Sequence, residues 1–391
     1  MFRMAVGHSD DIDLDSALAT VFAQCEKALA GAQPNAGLLM AAWEADHKVI
    51  VDAVRARYPG IELAGSTTAG EMSSVLGFQE DSIALTLFAS DTVEITAGLG
   101  PGLRSDARAA TQAAVDQARA RTKLAPSLCI AMPAIGLGEV GVILAGLRTA
   151  LGPGVPILGG GAAHEDPTQN PADGVSRQVV DDTLAEGAIA ILLFSGPLDF
   201  SFGVETGWRG VGQRATVTQS SPEGVLEIGG RPAIDFYERY LGRVSGQPPL
   251  ANPLAVFEGD ATAFYLRTPT MFDRETGLVG FLGVIPDGAT VQITVAATDE
   301  IVDGARASIA DALATFPGGR APDGALLYSC VTRRFLLGTR AGREIEQVRE
   351  ELGGDVPVAG FYCVGEIAPM PQADGSQFHN ATMVAVLLGA T

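Results

Sequence analysis

The chain has 391 residues and is 47% hydrophobic, enough for more than one ordinary core, so disorder is excluded and two domains are expected. A net charge of -20 repels a phosphate backbone and no basic stripe offsets it, which excludes nucleic acid and anionic membrane as partners. The four cysteines contain no CxxC pair, no apolar run reaches the ~18 residues of a membrane helix, and the opening MFRMAVGHSDDIDLD turns acidic at once, so a cytoplasmic chain is expected.

In chain order, the first strand expected is AGLLMAAW (Ala36–Trp43). VRARYPGIELAGSTTAGE (Val54–Glu71) then reads as a helix end, a Pro59-Gly60 break, a short aliphatic strand and a glycine-rich loop, and DSIALTLFA closes the unit as a strand. The pattern returns with SLCIAMPA (Ser127–Ala134), a helix carrying Leu144, Leu147 and Leu151, a Gly152-Pro153 break, the aliphatic stretch and loop of Leu147–Glu165, and the strand EGAIAILLF. Thr216–Pro253 holds a helix, RPAIDFYERYLG, and a linker, GQPPLANP. A β-rich tract from ATAFYLRT to ATVQITVAAT and a helix, EIVDGARASIADAL, lead into a third copy. There GALLYSCV (Gly324–Val331) is the strand, Ile345, Val348 and Leu352 mark the helix, and Gly353-Gly354 breaks it. VPVAGFYCVGE and NATMVAVLL complete the unit.

Each copy places a glutamate six residues after a glycine, as Gly65/Glu71, Gly159/Glu165 and Gly360/Glu366. One such match is expected by chance; three with one spacing imply an internal repeat. The fold class is therefore α/β, with mixed sheets built from repeated β-α-β-loop-β units in two domains. The β-α-β step makes parallel, buried strands, and the last strand, returning without a helix, is expected antiparallel. Ligands of open α/β sheets sit outside the carboxyl ends of the strands. The loop glutamates either face such a ligand or bond the amides of their own bends, and both roles are compatible.

The motifs resemble those of FIST-domain proteins. GSTTAGEM (Gly65–Met72) resembles the first signature of that family and GFYCVGEIAP (Gly360–Pro369) the second. YSCVTRR (Tyr328–Arg334) and FHNAT (Phe378–Thr382) stand in the family order around the second, and GWRGVGQRATVT with GRPAIDFYERYLG matches the tract that joins the halves. The resemblance covers essentially the whole chain. It departs at Ser66, where cysteine is usual, and at Thr332, where glycine is usual. It implies a FIST N-terminal domain over 1–218 and a FIST C-terminal domain over 219–391. It also implies a cytoplasmic small-ligand sensor, not an enzyme, that regulates a separate output protein such as a histidine kinase or a cyclic-nucleotide signalling protein. Stand-alone members similar in size bind b-type heme and sense nitric oxide; amino acids are the other ligand class the family suggests. Homo-oligomers are compatible with this reading.

The residues expected to carry ligand binding are Cys330, Arg333, Gly360, Tyr362, Gly365, Glu366, His379 and Asn380 in the C-terminal half, with Glu71 and Glu165 as repeat equivalents. Of the four histidines, His379 within FHNAT is the best heme-iron ligand, then His164; His47 opens a surface helix and His8 lies near the terminus. Arg333 and Arg334 have the planar fork that grips a ligand carboxylate. A different class of reading is an enzyme using Cys330 with His379 and Glu366, set against Cys330 as a small packing residue at a strand end.

Overall fold

The computed structural model describes residues 1–135, 140–163, 176–243, 248–257, 263–370 and 375–390. The first unit runs β1 (Phe2–Ser9), α1 (Leu14–Leu29), β2 (Ala36–Ala42), α2 (His47–Arg57), β3 (Glu62–Thr68), a hairpin of β4 (Glu71–Ser73) and β5 (Gly77–Gln79), and β6 (Ile83–Ser90). The second repeats it as β7 (Glu94–Gly100), α3 (Ala107–Arg119), β8 (Pro126–Pro133), α4 (Val140–Leu151), β9 (Ile157–Gly160), the hairpin β10 (Arg177–Val180) and β11 (Thr183–Glu186), and β12 (Ile189–Ser195).

The third opens with β13 (Asp199–Glu205) and is then interrupted by β14 (Arg209–Ser221), β15 (Gly224–Ile228), β16 (Arg231–Pro232), α5 (Ala233–Leu241), β17 (Leu254–Phe257), β18 (Phe264–Arg267), β19 (Pro269–Phe272), β20 (Val279–Phe281) and β21 (Thr290–Val295). It resumes with α6 (Thr298–Thr315), β22 (Gly324–Cys330), α7 (Val331–Leu337), α8 (Gly342–Leu352), β23 (Val358–Cys363), the hairpin β24 (Glu366–Pro369) and β25 (Ser376–His379), and β26 (Met383–Gly389). The inserted strands make their own antiparallel sheet, on which Phe236 and Tyr237 of α5 pack. Residue 218 lies inside β14.

As the repeat predicts, β2–β3, β8–β9 and β22–β23 are parallel pairs, and β6, β12 and β26 return antiparallel on the other side of β2, β8 and β22. The hairpins do not stay in the sheet of their own unit. The sheet orders are β1-β6-β2-β3-β10-β11, β25-β24-β9-β8-β12-β7 and β13-β26-β22-β23-β4-β5. Unit one lends its hairpin to the sheet of unit three, unit two to that of unit one, and unit three to that of unit two. The exchange closes in a ring, so each sheet is completed by a neighbour's chain.

The three sheets enclose one apolar core. Leu38, Ile130 and Leu326 from the central strands meet there with Phe88, Phe194 and Leu388 from the closing strands. The outer sheet faces carry the helices, in three further cores around α1 and α2, α3 and α4, and α6 and α8. Aspartates cap three of these helices, with Asp13, Asp46 and Asp106 accepting backbone N–H groups from Ser16, Val49 and Ala109. No helix among the described residues is long and apolar enough to cross a membrane.

Two sets of glycines set the close packing. A Cβ on Gly65, Gly159 or Gly360 would lie 2.3, 2.1 or 2.4 Å from the carbonyl oxygen of Leu39, Ala131 or Leu327 on the adjoining parallel strand. A Cβ on Gly7, Gly98 or Gly203 would lie 2.2, 2.0 or 1.9 Å from a carbonyl oxygen of α1, α3 or α6. Backbone cannot give way as a side-chain tip can, so Gly360→Ala is predicted to destabilise the fold by about 1–3 kcal/mol or more. Gly141→Ala, exposed in α4 with nothing within 4 Å of the new Cβ, should stabilise it by up to ~1 kcal/mol. Urea unfolding of both variants checks this; equal effects would mean that the close approach is incidental.

Candidate functional site

The chain brings its signature residues together where β2, β8 and β22 end. Glu71 and Glu366 occupy equivalent places, each the first residue of an exchanged hairpin and each fully buried. Glu165 and His164 lie outside the described residues. The glycine ahead of each glutamate has a positive φ, +109° at Gly70 and +73° at Gly365. At Gly365 an added Cβ would also lie 2.2 Å from the Phe378 ring.

Neither carboxylate is bare. Glu366 Oε2 accepts from the Thr382 amide (3.0 Å) and hydroxyl (2.5 Å), and its Oε1 accepts weakly from Cys363 Sγ at 3.5 Å. Glu71 accepts from the Thr68 and Ser82 hydroxyls. Thr382 and Ser82 each immediately precede a closing strand. Both carboxylates therefore brace the hairpin against its own unit, through the hydroxyls of Thr68, Ser82 and Thr382 and the Thr382 amide and not through the amides of their own bends. Burial is the first cause that raises their pKa values, to about 7 for Glu71 and about 8 for Glu366, and the hydroxyl donors only partly offset it.

Cys330 closes β22 opposite Cys363 of β23. It is fully buried, and burial first, then the nearby Glu366 carboxylate, pushes its thiol up to about 12. His379 faces Glu366 across the β24–β25 pair and donates from Nε2 to the Ala368 carbonyl at 3.1 Å. Burial pulls its pKa down to about 4, so the ring is neutral. A heme iron ligated through Nε2 would displace that hydrogen bond, and Cys330, fully buried at the end of β22, has no exposed face to offer an iron. As placed, neither His379 nor Cys330 fits an axial ligand. Among the described residues no group of three or more His, Cys, Asp or Glu side chains gathers as a metal site would.

Asn380 is committed to the inserted sheet. Its Oδ1 accepts from the Thr268 amide at 3.0 Å and its Nδ2 donates to the His379 carbonyl at 2.8 Å, while Arg267 Nη1 donates to the Phe378 carbonyl at 2.9 Å. FHNAT is thus the seat on which the insertion docks.

The expectation for Arg333 needs correction. Arg333 is wholly buried, and its guanidinium grips the Glu344 carboxylate of α8 through Nε (2.8 Å) and Nη2 (2.5 Å). It also donates to the carbonyls of Thr206 and Ile301, at 2.5 and 2.6 Å. Ser329 and the Tyr362 phenol complete the shell of Glu344, at 2.9 and 2.6 Å. Tyr362 in turn receives Phe78 of the incoming hairpin edge-on, with ring centroids 5.2 Å apart. The fork grips an internal carboxylate because the end of β22 turns Arg333 inward, under α6 and beside the exit of the insertion. Breaking such a buried pair costs about 3–5 kcal/mol. Arg334 pairs with Glu80 beyond β5.

Glu344 was not singled out from the sequence. Its signal was there: it lies four residues before Val348, on the apolar face of α8. His47 likewise is buried at the start of α2 and not on a surface; burial lowers its pKa.

The family models decide the kinship. The FIST N domain matches residues 35–231 and the FIST C domain matches residues 233–369. The chain belongs to the FIST family. FIST domains are associated with small-ligand sensing in signal transduction. The division between the two FIST matches falls within β16. An uncharacterized protein of Mycobacterium tuberculosis (strain H37Rv) is 31% identical to this FIST protein over 205 residues, 48% of this chain and 51% of its own. An uncharacterized protein of Mycobacterium bovis is 29% identical over 196 residues, 46% of this chain and 48% of its own. The chain thus spans about half the length of the curated relatives it matches. Among solved structures, a cyanuric acid hydrolase aligns over 100% of both chains at 10% identity, with a TM-score of 0.37. The cyanuric acid hydrolase of A. caulinodans aligns over 100% of this chain and 99% of its own at 12% identity, with a TM-score of 0.31. Likenesses this weak assign neither fold nor activity.

A folded pKa above the unfolded value of 4.5 means that stability is fully present below 4.5 and is lost as pH rises through about 8. Glu366→Gln, which keeps an acceptor for Thr382 without the charge, is therefore predicted to gain stability relative to wild type progressively across that window. Urea unfolding at several pH values measures the difference; a difference that is constant or shrinks with pH would refute the assignment.

Proposed function

We propose that this FIST protein is a small-ligand sensor that binds where β2, β8 and β22 end and the glycine–glutamate loops cross between sheets, and that it regulates a separate output protein such as a histidine kinase or a cyclic-nucleotide signalling protein. The observation that carries this reading is the ring of exchanged hairpins. Each hairpin belongs by chain to one unit and by hydrogen bonding to the sheet of another. A ligand that prefers one setting of one loop therefore biases two sheets at once, and a sensor needs that differential affinity between states. The position at the carboxyl ends of parallel strands is the one α/β sheets use for ligands. The net charge of -20 suits a partner with a basic docking patch, whose association weakens as salt rises.

The ligand class supported is a small polar or zwitterionic molecule of the amino-acid kind. Buried hydroxyls, amides and carboxylates dominate the loop region, whereas heme is supported by neither His379 nor Cys330. Thermal unfolding in the presence of each proteinogenic L-amino acid tests this. A ligand at ~100 times its Kd adds about 2.7 kcal/mol, which raises Tm by a few degrees for a chain of this size. The shift is expected with at least one amino acid and is expected to vanish in Gly365→Ala, while Gly141→Ala keeps it. No shift with any amino acid, or a shift unaffected by Gly365→Ala, would overturn the assignment.

A further inference from the structure

Strand register aligns the three exchanged hairpins. Gly65, Gly159 and Gly360 pair with Val179, Ile367 and Met72 of the visiting strands. One step on, Ser66 pairs with Gln178, Gly160 with Glu366 and Phe361 with Glu71. The six-residue spacing puts Glu165 in the third place; the register puts Gln178 there, 19 residues after Gly159. The bracing repeats as well. Gln178 Oε1 accepts from the Ala188 amide at 3.0 Å, as Glu366 accepts from the Thr382 amide, and Ala188 and Thr382 each immediately precede a closing strand.

The third brace is a carboxamide, which carries two N–H donors besides its oxygen. With Oε1 on the Ala188 amide, Nε2 makes one bond among the described residues, to Ser176 Oγ at 3.3 Å. One N–H is left to give. The hydroxyl beside it is idle too. In the run Ser66-Thr67-Thr68, Thr67 Oγ1 accepts the Arg177 amide and Thr68 donates to Glu71, so both serve the hairpins. Ser66 is buried, and its Oγ has no hydrogen-bond partner among the described residues.

Register partners of an antiparallel pair point to one face of the sheet, with Cβ atoms about 5 Å apart. Two residues along, Ala64 and Val180 belong to the core that all three sheets share. Ser66 and Gln178 therefore face inward as well, at the carboxyl end of β3. An O–H and an N–H so placed can reach a single oxygen atom. Neither Gly160 nor Phe361 has a hydroxyl to set beside its glutamate, so the pair occurs once in the ring.

We propose that Ser66 and Gln178 hold a carboxylate oxygen of the ligand between them. The assignment rests on the sensor reading above and names a contact within that site. The Ala188 amide fixes the carboxamide before a ligand arrives, which lowers the cost of ordering it. Ser66 belongs to unit one and Gln178 to unit two, so a ligand held by both joins two units. An unpartnered buried hydroxyl destabilises the ligand-free fold. Its removal therefore acts in opposite directions on the empty protein and on binding, which a hydroxyl bonded within the fold would not do.

Thermal unfolding and calorimetric titration of the full chain with each proteinogenic L-amino acid test this. Ser66→Ala is expected to keep or raise the ligand-free Tm. It is also expected to weaken binding of the responding amino acid about five- to tenfold, the loss of one hydrogen bond. Gln178→Glu keeps an acceptor for the Ala188 amide but loses the N–H donors, and should weaken binding at least as much. Unchanged affinity in Ser66→Ala, or a ligand-free Tm below that of wild type, overturns the assignment while the sensor reading stands. A wild type that responds to no amino acid overturns both. Ser66→Ala decides the matter even if Gln178→Glu fails to fold.

Discussion

Only a hydrogen atom fits between the Cα of Gly65, Gly159 or Gly360 and the carbonyl of the strand beside it. The rest of the architecture depends on that contact. It lets the second parallel strand of each unit lie close against the first, and in units one and three the chain leaves its sheet through a tight turn at Gly70 or Gly365. The hairpin that follows is then free of its own sheet and pairs with the next. Because the lending is cyclic, no sheet is complete without a neighbour's strands, and the three outer helix layers rest on a core that all three sheets share.

Much of this was legible in the residues, and for a physical reason. A buried parallel strand is a continuous apolar run, and a forced close approach leaves a glycine in every copy. The six-residue step from Gly65, Gly159 and Gly360 to a glutamate therefore displayed the repeat, the parallel pairs and the antiparallel return. The exchange was not legible. It rests on strands of three or four residues such as Glu71–Ser73, whose partners are hundreds of positions away. The glycines at 7, 98 and 203 were missed because their partners are helix carbonyls, which have no sequence pattern of their own.

The side chains of the site divide the same way. Glu71 and Glu366 were found because they repeat. Arg333 was given a ligand that proved to be Glu344, because sequence shows a forked cation after a strand but not which way the strand end turns it. Asn380 and His379 were read as ligand-facing for lack of any sign that the inserted sheet docks on FHNAT. His8 looked like a terminal residue; its hydrogen-bond partners Ser73 and Ser82 are neighbours only once the hairpin has crossed over. In each case the missing information was a long-range contact. In the sensor proposed above, the hairpins beside the ligand are the strands that close the neighbouring sheet, and the Arg333–Glu344 clamp ties α8 to Thr206 and Ile301 at the two ends of the insertion.

Native-state hydrogen exchange in low denaturant tests the ring of exchanged strands most directly. The account predicts that the amides of β3, β9 and β23, one parallel strand from each unit, lose protection together with a common opening free energy, because releasing any hairpin uncaps a neighbouring sheet. Separate transitions, with β3 opening well before β23, would contradict it and make the units independent domains that merely touch.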